Sequence, residues 1–418
     1  MMKLSRLAIF GLVALLPGCE KNDTVPTDQL IERKDFVLTR SDLDFIRANN
    51  GFALELFKRV AAREKGKSTL ISPLSVTVDF GMVNNGARGG TQDEINRVLG
   101  YEEGSVDDFN AFCQSMLRQS AAVDPSTLID IANAAVVNKG FVPLKDSFTK
   151  TVQSIYDAEV IYKDFSKDDV KGLINRWCSE KTHGMIPVLL EEPPKPSEYA
   201  HFLNAVYFKG IWSSQFKKSD TKKEDFRCGD GTRTSVRMMW QTGTFNYGII
   251  PGAGSALCLP YGNQAYRMIL LLPLEGKSVE SLLDALDLQT WNDLMKGMSA
   301  CEVDVKVPVF ETATPLLSLK DALMDMGIRK AFSWPGADFH GMTDTDIYIG
   351  DVLHKARIKV DETGSEAAAV TDIVMRYGAI GPGIEPKVIE FHCERPFLYA
   401  ITEISSGALY FIGQYTGK

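Results

Sequence analysis

The sequence lacks the signatures of the commoner enzyme chemistries. Its 418 residues include only five histidines, and none has the HExxH spacing of a helix-borne zinc site. No GxSxG elbow presents a nucleophilic serine, and no GxxxxGKS/T loop is there to cradle a phosphate. Asp344-Thr345-Asp346 has the look of a calcium loop but not its glycine or distal glutamate, and reads as a turn. Apart from Cys19, the cysteines (Cys113, Cys178, Cys228, Cys258, Cys301 and Cys393) contain no CxxC and no zinc-like cluster. Such wide scatter on a large core predicts mostly free, buried thiols. No metal and no cofactor is expected. His183, His201, His340 and His392 show no partner pattern and read as structural. Basic excess is missing too: the net charge is −8, which argues against nucleic acid and against polyanionic cofactors. The helix expected near Val106–Arg118 even begins Asp107-Asp108, so no basic helix face overrides that balance.

Long apolar runs are also absent. Lys3 and Arg6 precede an apolar stretch from Leu7 to Leu16, followed by Pro17-Gly18-Cys19. About ten residues are too few to span a bilayer as a mature helix. The charged start, short apolar segment and small residue before a break read as a secretory signal. The cysteine makes it resemble a bacterial lipobox, in which Cys19 is acylated and becomes the new N-terminus. The expected organisation is a lipoprotein signal peptide over 1–18, a polar tether over 19–42 and one folded domain over 43–418. The expected location is the bacterial cell envelope, with the lipid in the outer membrane or at the cell surface.

What is present is enough for one large core, since 44% of the residues are hydrophobic and no linker interrupts the chain. Helices are predicted near Ser41–Lys65, from Ser72-Pro73 to Asn84-Asn85-Gly86, from a Thr91/Glu94 capping box, and near Leu144–Tyr156 and Asp168–Lys181. Further helices are expected at Val279–Met298 and Leu316–Met326. Strands are predicted at Ser68–Ile71, Leu128–Asn138, His201–Phe208, through Thr242–Leu272, and at Glu302–Phe310, Tyr348–Val360, Lys387–His392, Phe397–Ile404 and Ala408–Gln414. Helices dominate the first half and strands the second, with no βαβ alternation and no repeat, so the class is α+β with large mixed or antiparallel sheets.

The most informative segment is Asp361-Glu362-Thr363-Gly364-Ser365-Glu366-Ala367-Ala368-Ala369-Val370-Thr371. From Ser365 onward one alternate set reads Ser365, Ala367, Ala369, Thr371, Ile373, Met375, all small or without charge. The other set, from Glu366 to Arg376, carries the charges, which is a strand pattern with one solvated face. The segment nevertheless runs into the glycine-rich Tyr377–Gly383, which reads as an exposed loop. A strand pattern attached like a loop suggests two alternative states, although an edge hairpin has the same bare pattern. The stretch resembles the hinge of the serpins, E-x-G-T/S-E-A-A-A-x-T. Ser72-Pro73-Leu74-Ser75, Gly86–Thr91, Asn204–Gly210 with Trp212, Lys306–Phe310, His354-Lys355-Ala356, Glu394–Phe397 and Phe411-Ile412-Gly413 follow the same family in order.

That resemblance implies a serpin fold, with helices packed on a large central mixed β-sheet, two further sheets and an exposed reactive-centre loop over about 362–386. It implies no catalysis but inhibition of serine endopeptidases, and possibly of papain-like cysteine proteases, by suicide-substrate trapping and loop insertion. Ser72, Ser75, Asn204 and His354 match a polar cluster under the middle of the main sheet, and Trp212 its upper end. The usual register places the scissile residue at Gly378, and a one-residue-shorter register at Tyr377. Arg376 is the trypsin-type candidate, and cuts as far as Ala379 fit the glycine-rich stretch. Chymotrypsin-, elastase- or subtilisin-like partners are expected, with the inhibitor a monomer. In the family the hinge glutamate, here Glu362, is often paired with a lysine after the proline of a neighbouring strand; this chain has Val309 there, so the pair is absent or remade. The alternatives are a non-inhibitory, binding or chaperone-like surface lipoprotein, or an unrecognised hydrolase or glycan-binding site. Small residues at Ser365, Ala367 and Ala369 favour inhibition.

Overall fold

The computed structural model describes residues 32–101, 106–365 and 388–418. The proposed signal sequence with Cys19, the hinge from Glu366, Ala367, Ala368 and Ala369 to Val370 and Thr371, and the candidates Arg376, Tyr377, Gly378 and Ala379 lie outside the described residues.

Two large sheets carry the fold. A nine-stranded sheet runs in the order Thr69–Ile71, Leu409–Tyr415, Phe397–Glu403, Tyr266–Pro273, Gly254–Tyr261, Arg233–Ile250, Ser299–Pro308, Ile389–His392, with Lys222–Arg227 paired to the outer part of Arg233–Ile250. A six-stranded sheet, the hinge sheet, runs Phe310–Ala313, Arg357–Val360, Gly364–Ser365, Ala200–Ile211, Leu128–Asn138, Glu159–Lys163. It is mixed, because Leu128–Asn138 pairs antiparallel with Ala200–Ile211 but parallel with Glu159–Lys163. Leu317–Ser318 and Leu353–His354 form a third, two-stranded sheet. The nine-stranded sheet is mixed too, since Ile389–His392 pairs parallel with Ser299–Pro308, and the α+β architecture with three sheets is the expected one.

Helix Pro73–Asn84 is the central support. Ser72 caps it by accepting from the Ser75 N–H at 3.3 Å, and Pro73 occupies the first turn, where its missing donor costs nothing. Nearly every side chain on the helix is buried, so it passes through the core with no solvent face. On the opposite side of the hinge sheet, helix Val170–Lys181 sets Ile174 and Trp177 against Leu203 and Ala205 in a smaller separate core. Alternate residues of Ala200–Ile211 therefore face two different cores, and Phe202, Val206 and Phe208 belong to the main one.

Several local expectations are corrected. Helix Gly89–Leu99 begins before Thr91 and has no side-chain cap. Thr91 Oγ1 instead accepts from the Asp338 N–H at 3.0 Å, and Glu94 Oε2 from the Arg329 and Lys330 N–H groups at 2.7 Å. Val279–Met298 is two helices, Val279–Asp284 and Leu288–Gly297, because Asp287 caps the second by accepting from the Thr290 N–H. The strand expected at Glu302–Phe310 divides after Pro308, and its two parts enter different sheets. The six cysteines among the described residues are free, all buried except the partly exposed Cys301.

Candidate functional site: the hinge and the gap beneath it

The strand Arg357–Val360 turns sharply at Asp361–Gly364. Asp361 Oδ1 accepts from the Thr363 N–H at 2.9 Å and the Thr363 hydroxyl at 2.6 Å, an Asx turn that reverses the chain. The Asp361 N–H donates to the Gly364 carbonyl at 2.9 Å. Gly364 has φ +154°, and a Cβ there would collide with the Gly210 carbonyl, so only glycine fits. After the turn Ser365 pairs with Val360 on one side and Gly210 on the other, both antiparallel. Ser365 is 1% exposed, and its hydroxyl shares a 2.6 Å hydrogen bond with the Tyr261 hydroxyl.

Trp212 holds this end of the sheet. Its ring stacks on Tyr261 at 4.3 Å and 13°. Its Nε1–H donates to the Asp361 carbonyl at 3.0 Å and its backbone N–H to the Thr363 carbonyl at 2.8 Å. Burial pushes the Tyr261 phenol well up, so this hydroxyl stays neutral. Trp212 thus touches the hinge through ring and backbone.

The ion pair left open by Val309 is remade. Glu362, 2% exposed, pairs with Arg237 of the strand Arg233–Ile250, whose guanidinium side chain is 55% exposed. Arg237 stands beside the vacated position: its carbonyl accepts from the Val309 N–H at 2.7 Å. Sequence reading missed Arg237 because the signal exists only once two strands are known to be neighbours.

Below Ser365 no strand among the described residues joins Arg357–Val360 to Ala200–Ile211. Ser72, Ser75, Asn204 and His354 all line the cavity beneath this gap. They are not one continuous network. The Ser72 N–H donates to His354 Nε2 at 3.1 Å, which leaves Nδ1 to carry the ring proton, and burial pulls His354 down to about 4. Asn204 turns to the next strand, donating through Nδ2 to Asn133 Oδ1 at 2.6 Å, and Asn133 in turn donates to the Tyr156 carbonyl at 2.7 Å. Asn204 Oδ1 is buried without a partner. The other histidines sit against carboxylates, His201 with Glu198 on the wall of the same cavity, His183 with Asp130, His340 with Asp338, and His392 near Asp304. No cluster of metal ligands occurs among the described residues.

Comparison with known proteins agrees with this geometry. The family model described as Serpin (serine protease inhibitor) matches residues 47–417, and the chain belongs to that family. It is 34% identical to Iripin-8 of the tick Ixodes ricinus over 88% of this chain and 92% of that protein. It is 32% identical to an uncharacterized serpin-like protein of Thermococcus kodakarensis over 94% of this chain and 89% of that one. Among solved structures, the thermophilic serpin tengpin in its native state is similar at TM-score 0.81 and 26% identity, over 92% of this chain and 96% of that chain. Thyroxine-binding globulin in complex with thyroxine is similar at TM-score 0.78 and 26% identity, over 89% and 98%. Serpins are in general protease inhibitors rather than enzymes, although thyroxine-binding globulin shows that some bind a small ligand instead.

Proposed function

We propose that this chain inhibits serine endopeptidases, and papain-like cysteine proteases, as a suicide substrate whose cleaved loop inserts into the hinge sheet. The observation that carries the reading is the hinge itself: Ser365 is paired on both sides while the sheet below it is parted. Continuing both registers would set Thr371 opposite Asn204 on one side and His354 on the other. Ser365 faces the core, so Ala367, Ala369 and Thr371 would face it too, and their small side chains fit over helix Pro73–Asn84 without overpacking.

The attacking protease hydroxyl adds to the carbonyl carbon of the scissile residue, the following amine leaves, and an ester links the two proteins. Cutting frees the loop, which gains ladder hydrogen bonds on both sides at about 1 kcal/mol net each. The ester-bound protease is dragged with it and its oxyanion hole distorted before water can complete the reaction. Gly378 suits the small first pocket of elastase- and subtilisin-like enzymes, and Tyr377 the hydrophobic slot of chymotrypsin-like ones. Cutting at Arg376 leaves a shorter strand to insert, so trypsin-like enzymes escape more often. The inhibitor acts as a monomer, tethered through acylated Cys19 to the bacterial envelope.

Mixing the protein with chymotrypsin, elastase and trypsin should give a denaturant-resistant covalent band, strongest with the first two. Mass spectrometry of the released peptide should place the cut within Met375–Ile380. Complete cleavage with no stable band from any of the three would reject trapping. Exchange of Cys19 for serine should move the protein from the membrane to the soluble fraction, and a wild type that is soluble from the outset would reject the anchor.

A further inference from the structure

The cavity under the gap has a volume of about 660 Å³, within the range that encloses small organic ligands. Two buried oxygen acceptors on its wall have no hydrogen-bond partner, Oδ1 of Asn204 and Oδ1 of Asp79. Asp79 is the only charged residue of helix Pro73–Asn84, and nothing in that helix's packing calls for a carboxyl group. As a residue it is partly exposed and lines the cavity, while its Oδ1 is buried. Burial raises its carboxyl well above the ordinary range. A carboxyl so placed costs stability until a donor reaches it.

Several of the other ionisable groups on the wall are turned to partners of their own. Glu198 is hydrogen-bonded to His201 at 3.0 Å, Asp351 accepts from the Ser318 hydroxyl at 2.5 Å, and Lys355 donates to the Val188 carbonyl at 2.8 Å. His354 is neutral, with its Nε2 accepting from the Ser72 N–H. Asp346 faces His340 at 3.3 Å, and Lys195, Cys178, Tyr199 and Tyr348 also line the wall. Much of the remaining wall is apolar, with Phe80, Val83, Phe202 and Met342 prominent.

We propose that this cavity binds an organic cation, a primary ammonium or amidinium group that donates to Asp79 and Asn204, carried on an apolar body that packs against Phe80, Val83, Phe202 and Met342. An ammonium has three donors and no acceptor, which suits two orphaned acceptors. A bare divalent ion would need about six oxygen ligands, more than these two residues supply. An anionic ligand would meet a carboxyl at its polar end. The site goes beyond protease inhibition and does not depend on it.

The test uses the intact protein without protease. The probe is 4-phenylbutylamine, with 4-phenylbutanol as its uncharged isostere, followed by titration calorimetry near neutral pH. The amine should bind at least about tenfold more tightly than the alcohol, a difference of about 1.4 kcal/mol. Asp79→Asn, which keeps the shape of the side chain, should lose the preference. Asp79→Ala should fold at least as stably as wild type and show the same loss, which separates the result from misfolding. Equal affinity for amine and alcohol, unchanged amine binding in both variants, or no binding of either probe at millimolar concentration would each overturn the proposal.

Discussion

The strand Phe397–Glu403 and the strand Gly364–Ser365 stand at opposite extremes of one molecule. The first has all seven residues buried and is paired along its length on both sides, to Tyr266–Pro273 and to Leu409–Tyr415. The second has two residues, also buried and paired on both sides, but with a parted sheet and a cavity below it. The chemistry of the ladder is the same in both. What differs is completeness: one sheet has used its pairing capacity and the other holds it in reserve. Under the proposed mechanism, stability lies in the first, and the capacity to change state lies in the second.

The largest expected effect comes from filling that reserve. Cleavage followed by insertion of roughly ten residues should add on the order of 10 kcal/mol, at about 1 kcal/mol per ladder bond. The melting temperature should then rise by more than about 10 °C. If intact and cleaved forms melt together, the two sheets do not differ in the way described. Ala367→Arg would place an unpaired charge on the core face of the inserting strand, so cleavage should persist while both the thermal gain and the covalent complex disappear. The contrasting substitution is Phe397→Ala in the finished sheet. Phe397 is fully buried against Phe310 and Tyr415, so the loss should be about 3–5 kcal/mol in the intact protein, read by denaturant melts, with the trapping ratio unchanged in the fraction that remains folded.

Most of this division was legible in the sequence, and the misses follow from one cause. The Ser72-Pro73 helix start and the strand Leu128–Asn138 are set by residues adjacent along the chain, and each lies where expected. Thr91 and Glu94 form a capping box by spacing alone, yet both side chains serve a loop more than 200 residues away. Tyr348–Val360 reads as one strand, but only Leu353–His354 and Arg357–Val360 find partners. Of the expected polar cluster, Ser72 and His354 are bonded, whereas Asn204 is committed to Asn133. Asp79 was open to notice as the lone charge in an apolar helix. Arg237 was not, since its role depends on the pairing of Met238 with Pro308, which no local pattern encodes.

A smaller effect should appear with pH. His354 falls from 6.5 to about 4 on folding because it is buried. Between those values the unfolded chain binds a proton that the folded one refuses, so stability falls as the pH drops through that window. The full loss is on the order of 3 kcal/mol. Asp79 works in the opposite sense, since its raised carboxyl makes the folded state bind the extra proton, and its cost grows as the pH rises above the ordinary carboxylate range. Chemical denaturation between pH 7 and pH 4 should therefore show a shallower decline in His354→Asn than in wild type. Parallel curves would mean that the cavity beneath the gap is wet enough to protonate His354 freely.

The smallest effect tests the upper end of the gap, where Glu362 is buried and Arg237 is half exposed. Removal of the cation leaves the buried carboxylate without its guanidinium partner, while solvent around Arg237 weakens the original pair. Arg237→Gln should therefore cost about 1 kcal/mol. The Glu362 carbonyl accepts from the Phe216 N–H at 3.0 Å, so the turn itself should survive, and the cost should appear as faster opening of the hinge rather than global unfolding. Amide hydrogen exchange at Trp212, Phe216 and Ser365 should report it, with exchange in Phe397–Glu403 unchanged. Val309 lies next to Arg237 through the 2.7 Å bond from its N–H, so Val309→Lys brings a second cation to the same carboxylate. Added to Arg237→Gln it should restore slow exchange at those three amides. Failure of that rescue, with Arg237→Gln itself behaving as expected, would show that the planar guanidinium and not the charge alone holds Glu362 in place.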